Sequence, residues 1–238
     1  MHEILNGEFS FNYYRDLLAF LIKEGYSFSS FDRDCTIKRV ILRHDIDIDI
    51  YNSLNMAEIE SQLGAFSTWF IQPNNDFYNI LSKQILDIIS GIRNLGGIIG
   101  LHIDGTMFSD QDEMIINIKK MFDFYQEYLP LDPVFSFHRP AKFLENPAIE
   151  IDGLINAYET SFFKEMAYIS DSNRRKFWEE ERLFNAIENG ASIQLLTHPL
   201  WWRVKDTSKE IIQKQVRDMA VEKIADNALR NNIKLFQE

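Results

Sequence analysis

Three times in the first hundred residues a helix-period segment runs to a glycine and passes at once into a β-rich run. This repeat restricts the fold more than any other feature of the chain. Tyr13 to Glu24 precedes Gly25 and Tyr26-Ser27-Phe28; Ile50 to Leu63 precedes Gly64 and Phe66-Ser67-Thr68-Trp69-Phe70-Ile71; Tyr78 to Asn94 precedes Gly96-Gly97 and Ile98-Ile99-Gly100-Leu101. Two further units follow, a helix of Glu113 to Tyr128 before Val134-Phe135-Ser136-Phe137, and Trp178 to Glu188 before Ser192-Ile193-Gln194-Leu195-Leu196. Short, near-continuous apolar strands separated by amphipathic helices imply an α/β fold whose parallel sheet is covered on both faces. Periodicity leaves open whether that sheet is doubly wound or closed into a barrel. A last amphipathic helix, Lys209 to Arg230, fits packing on the outside. The pattern is weakest from Lys142 to Ser170, where only Ala157-Tyr158-Glu159-Thr160 and Ala167-Tyr168-Ile169 read as β-like.

With 238 residues, 45% of them apolar, the chain is long enough for one large core, and one domain over 1–238 is expected. A net charge of -11 argues against nucleic acid as a partner, because affinity for a phosphate backbone comes largely from Lys and Arg. Cys35 is the single cysteine, so no intramolecular disulfide and no thiolate-rich zinc site can form, which fits a reducing compartment. The first eight residues lack a basic segment followed by an apolar one, and no apolar run approaches the length of a transmembrane span. A cytoplasmic protein is expected.

Four of the five histidines, His44, His102, His138 and His198, fall at the carboxyl ends of expected strands. In parallel α/β folds that end is where the βα loops open and ligands gather. A lone histidine there is usually structural, but these four are accompanied by Asp45, Asp47 and Asp49 on the first strand end and Asp104 on the third. Imidazole with carboxylate is the ligand mixture of a catalytic divalent ion, zinc foremost, that keeps an open position. In Asp45-Ile46-Asp47 both carboxylates lie on one side of an extended strand, with His44 facing the other way. Two like charges so close suit one carboxylate on a metal and one kept free as a base.

Taken in order, Glu24-Gly25-Tyr26, Leu42-Arg43-His44-Asp45-Ile46-Asp47, Ser67-Thr68-Trp69-Phe70, Gly100-Leu101-His102-Ile103-Asp104, Ser136-Phe137-His138-Arg139-Pro140 and Leu196-Thr197-His198-Pro199 resemble the polysaccharide deacetylase (NodB-homology) family. The closer likeness is to its divergent branch associated with surface-polysaccharide biosynthesis. The resemblance implies a distorted (β/α) barrel of about seven parallel strands. It also implies a metal-dependent hydrolase that removes an N-acetyl group from an amino sugar, a sugar nucleotide or a lipid-linked saccharide.

By the same resemblance Asp45 is the base, Asp47 and His102 are metal ligands and His198 is the general acid. Asp171, in Asp171-Ser172-Asn173-Arg174, orients that acid. The family's second histidine is replaced by Thr106, which leaves one ligand to be supplied by His138 or by Asp104. Arg139 stands one residue from the family's arginine, and Arg139 or Arg174 is expected to hold Asp45 through a forked ion pair. Trp201, Trp202 and Arg174 are the expected substrate contacts, the tryptophans by stacking on sugar rings. The alternative that Thr106 raises is a degenerate barrel that still binds saccharides but has lost full metal ligation. A metal-dependent esterase or phosphoesterase would use the same residues.

Overall fold

In the computed structural model the described residues are 9–32, 38–172, 180–202 and 209–230. Helix α1 (Phe11–Lys23) begins where the Ser10 hydroxyl accepts the Tyr13 N–H, and it buries Tyr13, Tyr14, Leu17, Leu18, Phe20 and Leu21. It is followed by β1 (Ser27–Phe28), β2 (Arg39–Ile46), α2 (Ser53–Leu63), β3 (Thr68–Ile71), α3 (Lys83–Asn94) and β4 (Ile98–Asp104). A single 3-10 turn (Gly105–Met107) leads to α4 (Gln111–Tyr125) and β5 (Val134–Arg139). The rest comprises β6 (Ile155–Asn156), α5 (Thr160–Phe163), β7 (Ala167–Ser170), α6 (Glu180–Glu188), β8 (Ile193–Thr197), α7 (Pro199–Trp202) and α8 (Lys209–Arg230).

Among the described residues every strand pairing is parallel, in the order β6-β5-β4-β3-β2-β8-β7, with β1 added beside the start of β2. The chain is therefore an open β/α barrel of seven strands in one path with a two-residue eighth. Among the described residues no strand pairing joins β6 to β7. Gln194 bridges the interior there, its side-chain amide donating to the carbonyls of Ala157 at 3.2 Å and Phe162 at 3.0 Å.

All eight residues of β2 are buried, as a strand with packing on both faces must be. Val40, Leu42 and Ile46, with Trp69, Ile71, Ile99, Ile193 and Leu195, pack against α1, α2, α3 and α6, while Leu101, Ile103, Phe135 and Phe137 meet α4. The opposite face closes over Phe31, Ile41, Phe70, Val134, Ala157, Phe162 and Met166. Gly100 is needed for that closure: a Cβ there would come within 2.6 Å of the Val134 carbonyl and 2.8 Å of the Phe70 ring. Gly100→Ala is expected to cost roughly 1–3 kcal/mol of stability by overpacking, read as a lowered urea midpoint with an unchanged slope; a midpoint equal to wild type would show that the ring yields freely.

The observed elements differ most from the periodic pattern at two helix starts and in the weak stretch. Helix α3 begins at Lys83 rather than Tyr78 because asparagines capture the backbone first. Asn75 Oδ1 accepts the N–H groups of Phe77 and Tyr78, and Asn79 Oδ1 accepts that of Leu81. Helix α2 likewise begins at Ser53 rather than Ile50, after a turn in which Asp49 accepts the Asn52 N–H at 3.3 Å. The β-like piece at 157–160 is not a strand: β6 lies just before it, and Thr160 opens α5. No helix among the described residues is long and apolar enough to cross a membrane.

Candidate active site

The period of two along β2 turns Arg43 and Asp45 toward the barrel interior and His44 toward the outer helices. Asp47 lies just beyond the strand. The adjoining loop fixes its backbone, with Asn75 Nδ2 donating to the Asp47 carbonyl at 2.7 Å and the Tyr78 hydroxyl to the Ile46 carbonyl at 2.7 Å. His102 lies fully buried near the end of β4. At the neighbouring strand the register shifts between Ile103 and Asp104, which pair with Phe137 and Arg139, so His138 is the extra residue of a bulge. Bulges re-aim side chains in this way.

The result is a cluster of one carboxylate and two imidazoles. Asp47 Oδ1 stands 3.2 Å from His102 Nε2 and 2.9 Å from His138 Nδ1. One ligand atom from each of the three residues falls within 4.8 Å of the others. Asp47 Oδ1 is buried and faces both imidazole nitrogens, so the three ligand atoms converge on one point. That geometry and that donor set fit a shared divalent cation. The far nitrogen of His102 is held by the Ser136 hydroxyl at 2.7 Å, the outer hydrogen bond that orients a ligating imidazole. Asp104 is turned elsewhere: it accepts from the Thr106 hydroxyl at 2.7 Å and pairs with Arg139.

Asp45 lies beside this cluster, its Oδ2 3.5 Å from His102 Nε2. Its partner corrects the expectation for Arg139. The forked ion pair comes from Arg43, whose Nε and Nη2 donate to the two Asp45 oxygens at 2.8 Å each. The guanidinium is fully buried, donates also to Gln194 Oε1 at 3.2 Å, and lies over the rings of Phe70 and Tyr158 at 5.1 Å. Burial pushes the Asp45 carboxyl up, but the Arg43 charge and fork, with His102 and His198, hold it below its ordinary value. Arg139 is exposed and belongs to Asp104, whereas Arg174 lies outside the described residues.

His198 follows β8 and completes the mouth, with Nε2 3.7 Å from Asp47 Oδ2. Its Nδ1–H donates to Asp171 Oδ1 at 2.5 Å, and its backbone N–H to Asp171 Oδ2 at 2.9 Å. Burial pulls the imidazole down, but Asp171, then Asp45 and Asp47, raise it to about 9. In the metal-free site these carboxylates favour the protonated imidazole, whose Nε2 faces the cluster.

Trp202 requires a second correction. It is fully buried, stacks on Tyr13 and donates its indole N–H to Asp171 Oδ2 at 2.9 Å, so it supports the carboxylate and offers no face to a sugar. Trp201 lies at the mouth, sharing a small cleft with Asp45, Asp47 and His198.

No family model and no curated protein matches the chain. Solved structures do. The chitin deacetylase of Colletotrichum lindemuthianum aligns at 13% identity over 76% of this chain and 82% of that one, with a TM-score of 0.47. The peptidoglycan deacetylase Bd3279 of Bdellovibrio bacteriovorus aligns at 16% identity over 84% of this chain and 54% of that one, with a TM-score of 0.48. The pseudoenzyme BA3943 of Bacillus anthracis, of carbohydrate esterase family 4, aligns at 14% identity over 80% and 63%, with a TM-score of 0.43.

Two groups were missed in the sequence. Arg43 was within reach, since it shares the inward face of β2 with Asp45 two residues on. Glu60, the buried partner of His44 at 2.8 Å, lies on α2 and no local pattern pointed to it.

Proposed function

We propose that this chain is a metal-dependent hydrolase that removes an N-acetyl group from an amino sugar, whether free, nucleotide-linked or lipid-linked, in the cytoplasmic steps of surface-polysaccharide synthesis. The observation that supports it is the meeting of three functions at one end of the sheet: the Asp47, His102 and His138 trio, an ionised Asp45 beside it, and His198 across from it with Asp171 behind. A binding-only barrel has little use for an opposed base and acid, and His138 supplies the donor that Thr106 does not.

Asp47, His102 and His138 would hold the cation. When bound there, a divalent ion supplies Lewis-acid charge that polarises the amide carbonyl and acidifies water, so that a carboxylate as fully ionised as Asp45 serves as a base. Asp45, fixed by the Arg43 fork, accepts the proton of the water whose oxygen adds to the carbonyl carbon. His198 delivers its Nε2 proton to the nitrogen as the C–N bond breaks, yielding acetate and the free amine. Asp171 holds the imidazole in the orientation that faces Nε2 to the cluster. Trp201 lies at the mouth, where a ring can stack on an apolar sugar face.

Elemental analysis of the purified protein is the test of the trio: about one divalent ion per chain is expected in wild type and much less in Asp47→Ala, His102→Ala and His138→Ala. Equal metal in all four would remove the trio as the site. Acetate release from N-acetylated amino sugars and sugar nucleotides is expected to fall by 10²-fold or more in Asp45→Asn, on the order of a general base's contribution. Unchanged release would remove Asp45 as the base.

A further inference from the structure

The outer face of the same strand ends carries a second polar system that takes no part in the chemistry above. His44 is fully buried between α1, α2 and the sheet. Its Nε2 faces Glu60 Oε1 at 2.8 Å and its Nδ1 faces the Thr197 hydroxyl at 2.6 Å. Glu60, itself 2% exposed, also accepts from the Tyr14 hydroxyl at 2.5 Å and the Ser67 hydroxyl at 2.6 Å. The Trp69 ring stacks on the imidazole at 3.8 Å between centroids.

A buried carboxylate with a buried histidine costs more in desolvation than an apolar packing of the same volume, so its placement matters. In the sheet, His44 is the register partner of Trp69 on one side and Thr197 on the other. The residue after His44 is Asp45, and the residue after Thr197 is His198. The chain Glu60, His44, Thr197 therefore ties β2 to β8 one residue before each strand delivers its reactive group. Glu60 accepts from two other hydroxyls and faces His44 Nε2, while His44 Nδ1 and the Thr197 hydroxyl share the hydrogen bond that reaches β8.

We infer that His44 and Thr197 form a clamp that sets the separation of Asp45 and His198, acting as positioning residues for the proton transfers. The inference rests on the hydrolase reading for its kinetic readout but not for its structural one. Misplacement of a reacting group by a fraction of an ångström costs far more in turnover than in binding.

The test uses the full, metal-loaded chain with Thr197→Val, which keeps shape and removes the hydroxyl, and Thr197→Ser, which restores it. Expected in Thr197→Val is a fall in kcat on the order of tenfold, with KM, metal content and the fraction of folded protein close to wild type. Thr197→Ser recovers most of the loss, and adding Glu60→Gln to Thr197→Val lowers kcat little further, because both break one chain. A kcat that falls only with the folded fraction, or equal kcat in the valine and serine variants, overturns the clamp. Nitrogen-15 spectra of the histidine rings give the independent readout. His198 signals are expected to move in Thr197→Val and to stay in Thr197→Ser; if they stay in both, the clamp fails. Should wild type release no acetate from any substrate, the hydrolase reading falls, and these ring signals alone decide the clamp.

Discussion

Arg43→Met is expected to destabilise the protein by roughly 3–5 kcal/mol, the cost of leaving one member of a buried ion pair without its partner. Arg43 and Asp45 are both almost completely buried and joined by two hydrogen bonds of 2.8 Å, so solvent replaces the lost fork poorly. The pH dependence separates this cause from simple loss of packing. In wild type the folded Asp45 carboxyl is depressed, so its pairing contributes stability that is present above the unfolded value of about 3.9 and is lost as pH falls through the folded one. Without Arg43 the upward push of burial acts with less opposition, and the folded value rises. The difference in unfolding free energy between wild type and Arg43→Met, from urea curves, is therefore expected to be larger at pH 8 than at pH 4. Adding Asp45→Asn to Arg43→Met is expected to return part of the loss, because the uncompensated charge goes with it. A difference under about 1 kcal/mol, flat with pH, would show that the pair is solvated after all.

The same pair shows where the sequence is legible and where it is not. Alternation along β2 was enough to put Asp45 and Asp47 on the reactive side and His44 on the other, since period two is a local property of an extended chain. The same alternation puts Arg43 on that face, whereas the family resemblance points to Arg139 and Arg174. The parallel sheet followed from the helix–glycine–strand repeat, whereas its opening between β6 and β7 falls in the stretch from Lys142 to Ser170. There the strands are two and four residues long, too short for any period to register. Trp202 failed for another reason. Tandem tryptophans after a strand look alike in sequence, but the short helix Pro199–Trp202 sends one ring under Asp171 and leaves the other at the mouth. Glu60 is a long-range matter: one acidic residue on α2 reads as a solvated position until the fold brings Tyr14, His44 and Ser67 to it.

In Asp171→Asn the turnover is expected to drop by about 10²–10⁴-fold, the range spanned by general acid catalysis, with the shape of the site nearly retained. Asp171 is fully buried and accepts from three donors, the His198 imidazole, the His198 backbone and the Trp202 indole. Asparagine keeps one acceptor oxygen but brings an amide N–H where an acceptor is needed, and it removes the charge that does most to oppose burial. His198, raised to about 9 in wild type, then falls, so the basic limb of kcat/KM is expected to move to lower pH. Stability of the metal-free protein follows the same group. Because the folded value exceeds the unfolded one of about 6.5, the contribution is full below pH 6.5 and is lost as pH rises through about 9. The gap between wild type and Asp171→Asn in urea unfolding should thus be widest near pH 6 and narrow toward pH 10. If the basic limb stayed at its wild-type position, the charge of His198 would have to be credited to Asp45 and Asp47, and Asp171 would be left with holding the ring and the Trp202 indole in place.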